Sequence, residues 1–266
     1  MDKLVTDIGI AGIAGRMGCL LADMVRADQS LHLAGGTTHR RPAPDGVVVA
    51  RDIAALALAS DVVVDFTTAA AVADHAAALT RSGTGWVLGT TGLDAEAEAV
   101  VAGAGLTIPI VYAANFAPGV VALLAVAEML GAALPASEYD AEIVEMHHRQ
   151  KVDAPSGTAI ALGRAVATGR RVALEDVRAS GRDGHTGERP TGAIGFAALR
   201  GGQVVGEHTV LFAGASEHVA LSHRAFDRAV FAAGALRAAS WLAGRPAGLY
   251  TMRDVLGLGG AGPPLA

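Results

Sequence analysis

The strongest constraint on the fold lies near the amino end, where an apolar run gives way to glycines and then to a helical pattern. Leu4 to Ala11 reads as a short buried strand, Gly12-Ile13-Ala14-Gly15-Arg16-Met17-Gly18 places a glycine at every third position, and Met17 to Val25 spaces its apolar residues for a helix. Strand, glycine-rich turn and helix in that order open a doubly wound α/β sheet. Glycine there permits a tight turn and lets backbone N–H groups approach a pyrophosphate, which the helix amino terminus holds through its unpaired donors and dipole. Arg16 adds a cation beside it. The same triplet also serves an ordinary turn, and its spacing is not the usual G-x-G-x-x-G, so on these residues alone both readings stand.

The pattern then repeats. Apolar runs at Leu31 to Ala34, Val62 to Phe66, Trp86 to Leu88 and Ile108 to Tyr112 alternate with alanine-rich helical stretches, which implies a parallel sheet covered by helices on both faces. After Asn115 the character changes: a helix from about Gly119 to Leu130, a strand from Tyr139 to Met146, a polar loop, and a helix starting near Gly157. Gly181 to Thr191, crowded with glycine and charge, reads as a long mobile loop. Three strand candidates follow, Ala193 to Leu199, Gln203 to Phe212 and His218 to His223, with Gly201-Gly202 and Gly214 to Ser216 as hairpin turns. An amphipathic last helix, Arg228 to Leu242, is expected to return to the first lobe. The expected class is therefore α/β: a Rossmann-type doubly wound parallel sheet in residues 1–118 and 229–266, plus a smaller α+β domain with an open mixed, largely antiparallel sheet in residues 119–228.

Composition bounds the rest. Of 266 residues, 52% are apolar, 18% charged and only 4% aromatic, so aliphatic side chains and alanine fill the core and disorder is excluded. A net charge of −5 argues against a broad basic face for nucleic acid, so any anion site is local. Cys19 stands alone, which rules out an intramolecular disulfide. Met1 to Ile10 carries Asp2 and Asp7 and lacks the basic head of a signal peptide. The apolar stretches at Ala69 to Ala78 and Val120 to Leu130 are interrupted by Asp74, His75 and Glu128 and are too short to span a bilayer. A soluble cytoplasmic protein with no membrane partner is expected.

Dinucleotide folds often carry an acidic residue after the second strand, where it pairs with the ribose hydroxyls of NAD. Here that stretch is Thr37-Thr38-His39-Arg40-Arg41, which has no carboxylate and suits the 2′-phosphate of NADPH, or else forms a solvated basic turn. Asp65-Phe66-Thr67-Thr68 and Gly89-Thr90-Thr91-Gly92 fall where parallel strands end; each suits ribose and carboxamide contacts, and each also fits a helix cap.

The stretch from Glu142 to Ala159 carries the chemistry. His147, His148, Arg149 and Lys151 put four potential cations into five positions of an acidic chain. Pro155 blocks an earlier helix start and Ser156 is a natural N-cap, so the N–H groups of Gly157 and Thr158 are expected to point free at the helix mouth, a ready carboxylate or phosphate site. Lys151 and His148 would hold the anion from the other side, which leaves His147 as candidate proton donor. Surface histidines and a plain cap are the bland alternatives for each feature singly; their adjacency favours a site. No metal is expected, because neighbouring histidines on a strand point to opposite faces and no cysteine or carboxylate stands at ligand spacing. A serine hydrolase would need a G-x-S-x-G elbow that is missing.

The run Glu-x-His-His-x-x-Lys-x-Asp-x-Pro-Ser-Gly-Thr-Ala from Glu145 to Ala159 resembles the signature of the 4-hydroxy-tetrahydrodipicolinate (dihydrodipicolinate) reductase family. Gly15 to Gly18, Asp65 to Thr67, Gly89 to Gly92, Ala114-Asn115-Phe116, Thr186 to Arg189, Gly206 to Thr209 and Met252 to Leu256 match as well, so the similarity spans nearly the whole chain. The resemblance implies a homotetramer that reduces 4-hydroxy-2,3,4,5-tetrahydrodipicolinate, via dihydrodipicolinate, to tetrahydrodipicolinate in the diaminopimelate route to lysine. It implies hydride transfer from carbon 4 of the nicotinamide to carbon 4 of the substrate ring. By position, His147 matches the general acid, Lys151 the catalytic and substrate-binding lysine, and His148, Ser156, Gly157 and Thr158 the carboxylate-binding set. Gly12, Arg16, Met17, Thr67, Gly89, Thr91, Ala114 and Phe116 match cofactor contacts; Gly15, Thr38, His39, Arg40, Phe66, Thr90 and Asn115 complete the expected nucleotide set. Several family members carry an acidic residue where Thr38 stands, so NADPH is the expected donor and NADH the weaker one. Two other readings stay open: a reductase of a related cyclic imine, and a non-catalytic NADPH sensor, against which the intact acid and carboxylate set weigh.

Overall fold

The computed structural model describes residues 5–39 and 41–259. In chain order the elements are β1 (Thr6–Ala11), α1 (Arg16–Ala27), β2 (Leu31–Gly36), α2 (Ile53–Leu58), β3 (Val62–Asp65), a 3₁₀ turn (Ala69–Ala71), α3 (Val72–Ser82), β4 (Gly85–Leu88), α4 (Ala95–Ala104) and β5 (Pro109–Tyr112). There follow α5 (Pro118–Ala133), β6 (Asp140–His147), α6 (Gly157–Arg170), α7 (Leu174–Val177), β7 (Arg178–Ser180), β8 (Ile194–Arg200), β9 (Gly206–Ala213), β10 (His218–Ala225), α8 (Ala229–Leu242), β11 (Gly248–Tyr250) and α9 (Met252–Leu256). Two compact units result, one from residues up to Pro118 together with those from Ala229 onward, the other from Gly119–Arg228.

The first unit holds a parallel six-stranded sheet in the order β11-β5-β4-β3-β1-β2. Its central strands are buried on both faces, as Val62, Val63 and Val64 show, which is why they read as unbroken apolar runs. Strand order reverses between β1 and β3, so the glycine-rich turn after β1 sits where such sheets bind ligands. Helix α1 buries Gly18, Leu21, Ala22 and Val25, one stripe at helical spacing. A Cβ on Gly18 would come within 2.6 Å of the Ile13 Cα, so only glycine lets α1 seat this closely on the turn. The helix over Arg228 to Leu242 is not the last element: β11 adds a strand beside β5, and α9 follows with a capping box between Thr251 and Asp254. Three residues of strand are too few to show a hydrophobic period.

The second unit holds a mixed sheet in the order β10-β9-β6-β8-β7, with β6 antiparallel to β9 and parallel to β8. The β9–β10 pairing is antiparallel and the β7–β8 pairing parallel, so antiparallel pairs do not predominate. Gly214 closes the β9–β10 hairpin by donating to the Glu217 carbonyl at 2.9 Å. Gly201-Gly202 makes no hairpin, which corrects the sequence expectation: β8 and β9 flank β6 on opposite sides, so the segment between them steps across the end of β6. It is fastened there by Gly201 N–H to the His147 carbonyl at 3.0 Å and His148 N–H to the Val204 carbonyl at 2.8 Å. The segment from Gly181 to Thr191 is tethered. Arg189 donates to the carboxylates of Asp140 and Glu142 and to the Ala141 and Ala193 carbonyls, and Arg182 donates to Glu142. Among the described residues no helix is long and apolar enough to cross a membrane.

Candidate active site

Strand β6 changes character along its buried face. Alternation turns Ala141, Ile143, Glu145 and His147 inward; the first two join the core, and the last two carry polar groups into it. The His147 Nδ1 lies 2.6 Å from Glu145 Oε2. Arg200, at the end of β8, donates to both Glu145 oxygens at 2.8 Å, and the Ser156 N–H donates to Oε1 at 3.0 Å. The Ser156 hydroxyl accepts the Ala159 N–H as the cap of α6 and pairs with His208 Nε2 at 3.0 Å. The His147 and His208 rings meet edge to face with centroids 5.1 Å apart.

Burial lowers the His147 pKa below the ordinary histidine value, and Lys151 and Arg200 push the same way, while Glu145 opposes them. Burial also works against the charge of Glu145, but its bonds from Arg200, His147 and Ser156 outweigh that and hold its pKa below the usual glutamate range. His208 is pushed down to about 4, first by burial and then by the charge of His147, so it is neutral at pH 7.

The other expected substrate residues lie beside this network. His148 is half-buried, and its buried Nδ1 has no partner among the described residues. Lys151 pairs with Asp153 at 2.8 Å, so any anion drawn to this ammonium meets an internal competitor. Gly157 and Thr158 form the exposed to half-buried first turn of α6. Glu145, Arg200 and His208 were missing from the expected site. Two-residue spacing from His147 was the legible signal for Glu145; Arg200 and His208 enter only through the registers of β8 and β9 against β6.

In the first unit the expected nucleotide residues all follow the carboxyl ends of parallel strands: Gly12 to Met17 after β1, Thr38 and His39 after β2, Phe66 and Thr67 after β3, Gly89 to Thr91 after β4, Ala114 to Phe116 after β5. Arg40 lies outside the described residues. Gly12 adopts φ +73°, a conformation that favours glycine. Its N–H and that of Ile13 donate to Thr37, and the Gly15 N–H donates to the Gly12 carbonyl, so these three donors shape the turn. Gly15 caps α1 with no side chain, which leaves the first-turn N–H groups, those of Arg16 and Met17, to face an anion. Thr90 presents a buried hydroxyl without a partner among the described residues. These features fit a dinucleotide. The Thr38 hydroxyl donates to the Arg41 carbonyl at 2.7 Å and so shapes the basic turn, whereas His39 and Arg41 are exposed. Thr67 is held through both its N–H and its hydroxyl by fully buried Asp65, whose other oxygen lies 2.7 Å from His75 Nδ1. Phe66 packs edge to face on Phe116 at 5.4 Å, over Gly89, where a Cβ would overlap the Phe66 ring. Among the described residues no group of three or more His, Cys, Asp or Glu side chains is arranged to hold a metal ion.

Comparison with known proteins agrees across the chain. Residues 6–116 match the family description "Dihydrodipicolinate reductase, N-terminus" and residues 119–256 match "Dihydrodipicolinate reductase, C-terminus". A 4-hydroxy-tetrahydrodipicolinate reductase of Granulibacter bethesdensis is 59% identical over 254 residues, covering 94% of this chain and 97% of that protein. One of Acidiphilium cryptum is 61% identical over 251 residues, covering 94% and 97%. The solved dipicolinate-bound dihydrodipicolinate reductase of a Paenisporosarcina species superposes with a TM-score of 0.78 at 26% identity, covering 94% of this chain and 98% of that one. On this evidence the chain belongs to the dihydrodipicolinate reductase family.

Proposed function

We propose that this protein reduces 4-hydroxy-2,3,4,5-tetrahydrodipicolinate, via dihydrodipicolinate, to tetrahydrodipicolinate on the diaminopimelate route to lysine, with NADPH preferred over NADH. The observation that carries the reading is His147 at the end of β6, its Nδ1 engaged by a buried carboxylate and its neighbour Ser156 capping the α6 mouth. Once the substrate has lost water to give dihydrodipicolinate, the bound nucleotide would supply the hydride for carbon 4 of the unsaturated ring. The N–H groups of Arg16 and Met17 would receive its pyrophosphate, and Thr67, Gly89, Thr90, Thr91, Ala114, Asn115 and Phe116 would line its nicotinamide half. His39 and Arg41 follow β2 on the exposed surface, and the basic sequence His39-Arg40-Arg41 suits a 2′-phosphate.

A dianionic ring must be stripped of water at both carboxylates, and each then needs donors already in place. Ser156, Gly157, Thr158 and His148 supply them at the helix mouth. Lys151 exchanges Asp153 for a substrate carboxylate and offsets negative charge developing on the ring. His147 then delivers the proton that quenches that charge. A homotetramer and a cytoplasmic location belong to the same proposal. His147→Ala is expected to lower kcat by about 10² to 10⁴ while leaving NADPH affinity nearly unchanged. Unaltered turnover would remove His147 from the mechanism.

A further inference from the structure

We propose that Glu145, clamped by Arg200, is a positioning residue that fixes which nitrogen of His147 delivers the proton and holds the α6 mouth in register with that acid. The inference rests on the reading of His147 as the proton donor. Glu145 is 1% exposed and lies at the junction of four hydrogen bonds, two from Arg200, one from the Ser156 N–H and one shared with His147 Nδ1. An ionised carboxylate only accepts, so His147 Nδ1 must carry a hydrogen, and Nε2 becomes the nitrogen that gains and loses the catalytic proton. The bidentate Arg200 contact keeps the carboxylate ionised despite its burial.

One carboxylate thus aligns two functions. Through Oε2 it orients the acid; through Oε1 it holds the backbone of Ser156, the residue that caps α6 and precedes Gly157 and Thr158. The Arg200 Nη2 also donates to the Asp153 carbonyl at 2.7 Å, tying the loop that carries Lys151 to the same clamp. The reach follows from strand register. In the parallel β6–β8 pair, Arg200 stands opposite His147 and Ala198 opposite Glu145, so the Arg200 side chain passes back along the strand to reach the carboxylate. His147 therefore faces Glu145 on β6, Lys151 on the following loop, Arg200 on β8 and neutral His208 on β9, with His223 on β10 acting on His208. Among these, Glu145 alone stabilises the imidazolium. A buried ion pair that merely braced the fold would affect stability without setting the tautomer or the titration of His147.

The test compares kcat and kcat/KM across pH for the wild-type protein, Glu145→Gln and His147→Ala, with NADPH affinity measured alongside. Selective ¹⁵N labelling of histidine reads the His147 tautomer in the wild-type protein, which needs no variant to fold. Glu145→Gln should lower kcat about 10- to 100-fold, the usual scale for a group that orients a functional side chain, without changing NADPH affinity. A proton donor works below its pKa and fails as pH rises through it. Losing Glu145 lowers that pKa, so the alkaline fall in kcat/KM should move to lower pH. The wild-type spectrum should show hydrogen on Nδ1. Hydrogen on Nε2 instead, wild-type turnover in Glu145→Gln, or reduced turnover with an unmoved alkaline limb would each overturn the proposal. Wild-type turnover in His147→Ala would instead overturn the acid assignment on which it rests.

Discussion

His208 shows how one residue can restrict the chemistry around it. Buried against His147 and bonded to the Ser156 hydroxyl, it stays neutral because its pKa is pushed from 6.5 down to about 4. Between those values an unfolded chain binds a proton at this histidine that the folded chain refuses. Stability is therefore undiminished above pH 6.5 and falls as pH drops toward 4, by up to about 3 kcal/mol at roughly 1.4 kcal/mol per pH unit. His208→Gln should flatten the acid side of the stability curve in urea titrations run from pH 7 to 4; an unchanged slope would mean that His208 does not make this contribution. The residue scale was partly legible in the sequence. His147, His148, Lys151 and Ser156 lie within ten positions, and the strand period puts Glu145 on the same side as His147. Arg200 and His208 are more than forty residues away and reach the cluster only because β8 and β9 both pair with β6, information that no local pattern holds.

At the scale of elements, the nucleotide-binding part depends on close packing rather than on side-chain donors. In the turn after β1, Gly12, Ile13 and Gly15 spend their N–H groups on Thr37 and on the turn itself, so the expected anion-facing donors include those at the start of α1. Gly18 decides how near that helix comes, since a Cβ would sit 2.5 Å from the Gly12 carbonyl oxygen. Gly18→Ala should cost about 1 to 3 kcal/mol of stability, the usual cost of overpacking, and should weaken NADPH binding, both readable by thermal denaturation with and without the nucleotide. An unaltered Tm shift on adding NADPH would count against this role for the turn. The strands β1 to β5 were legible because burial on both faces makes each a continuous apolar run. The expected hairpin at Gly201-Gly202 failed for a physical reason: adjacent strands with a glycine turn normally pair, but the parallel alignment of β8 with β6 leaves β9 to take the opposite edge. The same crossing fastens the end of β6 just where His147 sits.

At the scale of the whole molecule, a net charge of −5 coexists with two proposed anion sites, one in each unit. The first is proposed to take a phosphorylated dinucleotide at the start of α1, and the second a dicarboxylate at the α6 mouth with His148 and Lys151. Family membership and these two sites together define the account, a nicotinamide-dependent reduction of a doubly negative ring. The direct measurement is cofactor oxidation, followed side by side with NADPH and NADH, after mixing the protein with freshly generated 4-hydroxy-2,3,4,5-tetrahydrodipicolinate. Oxidation that depends on substrate is predicted, with kcat/KM higher for NADPH. Absence of substrate-dependent oxidation with both nucleotides would contradict it.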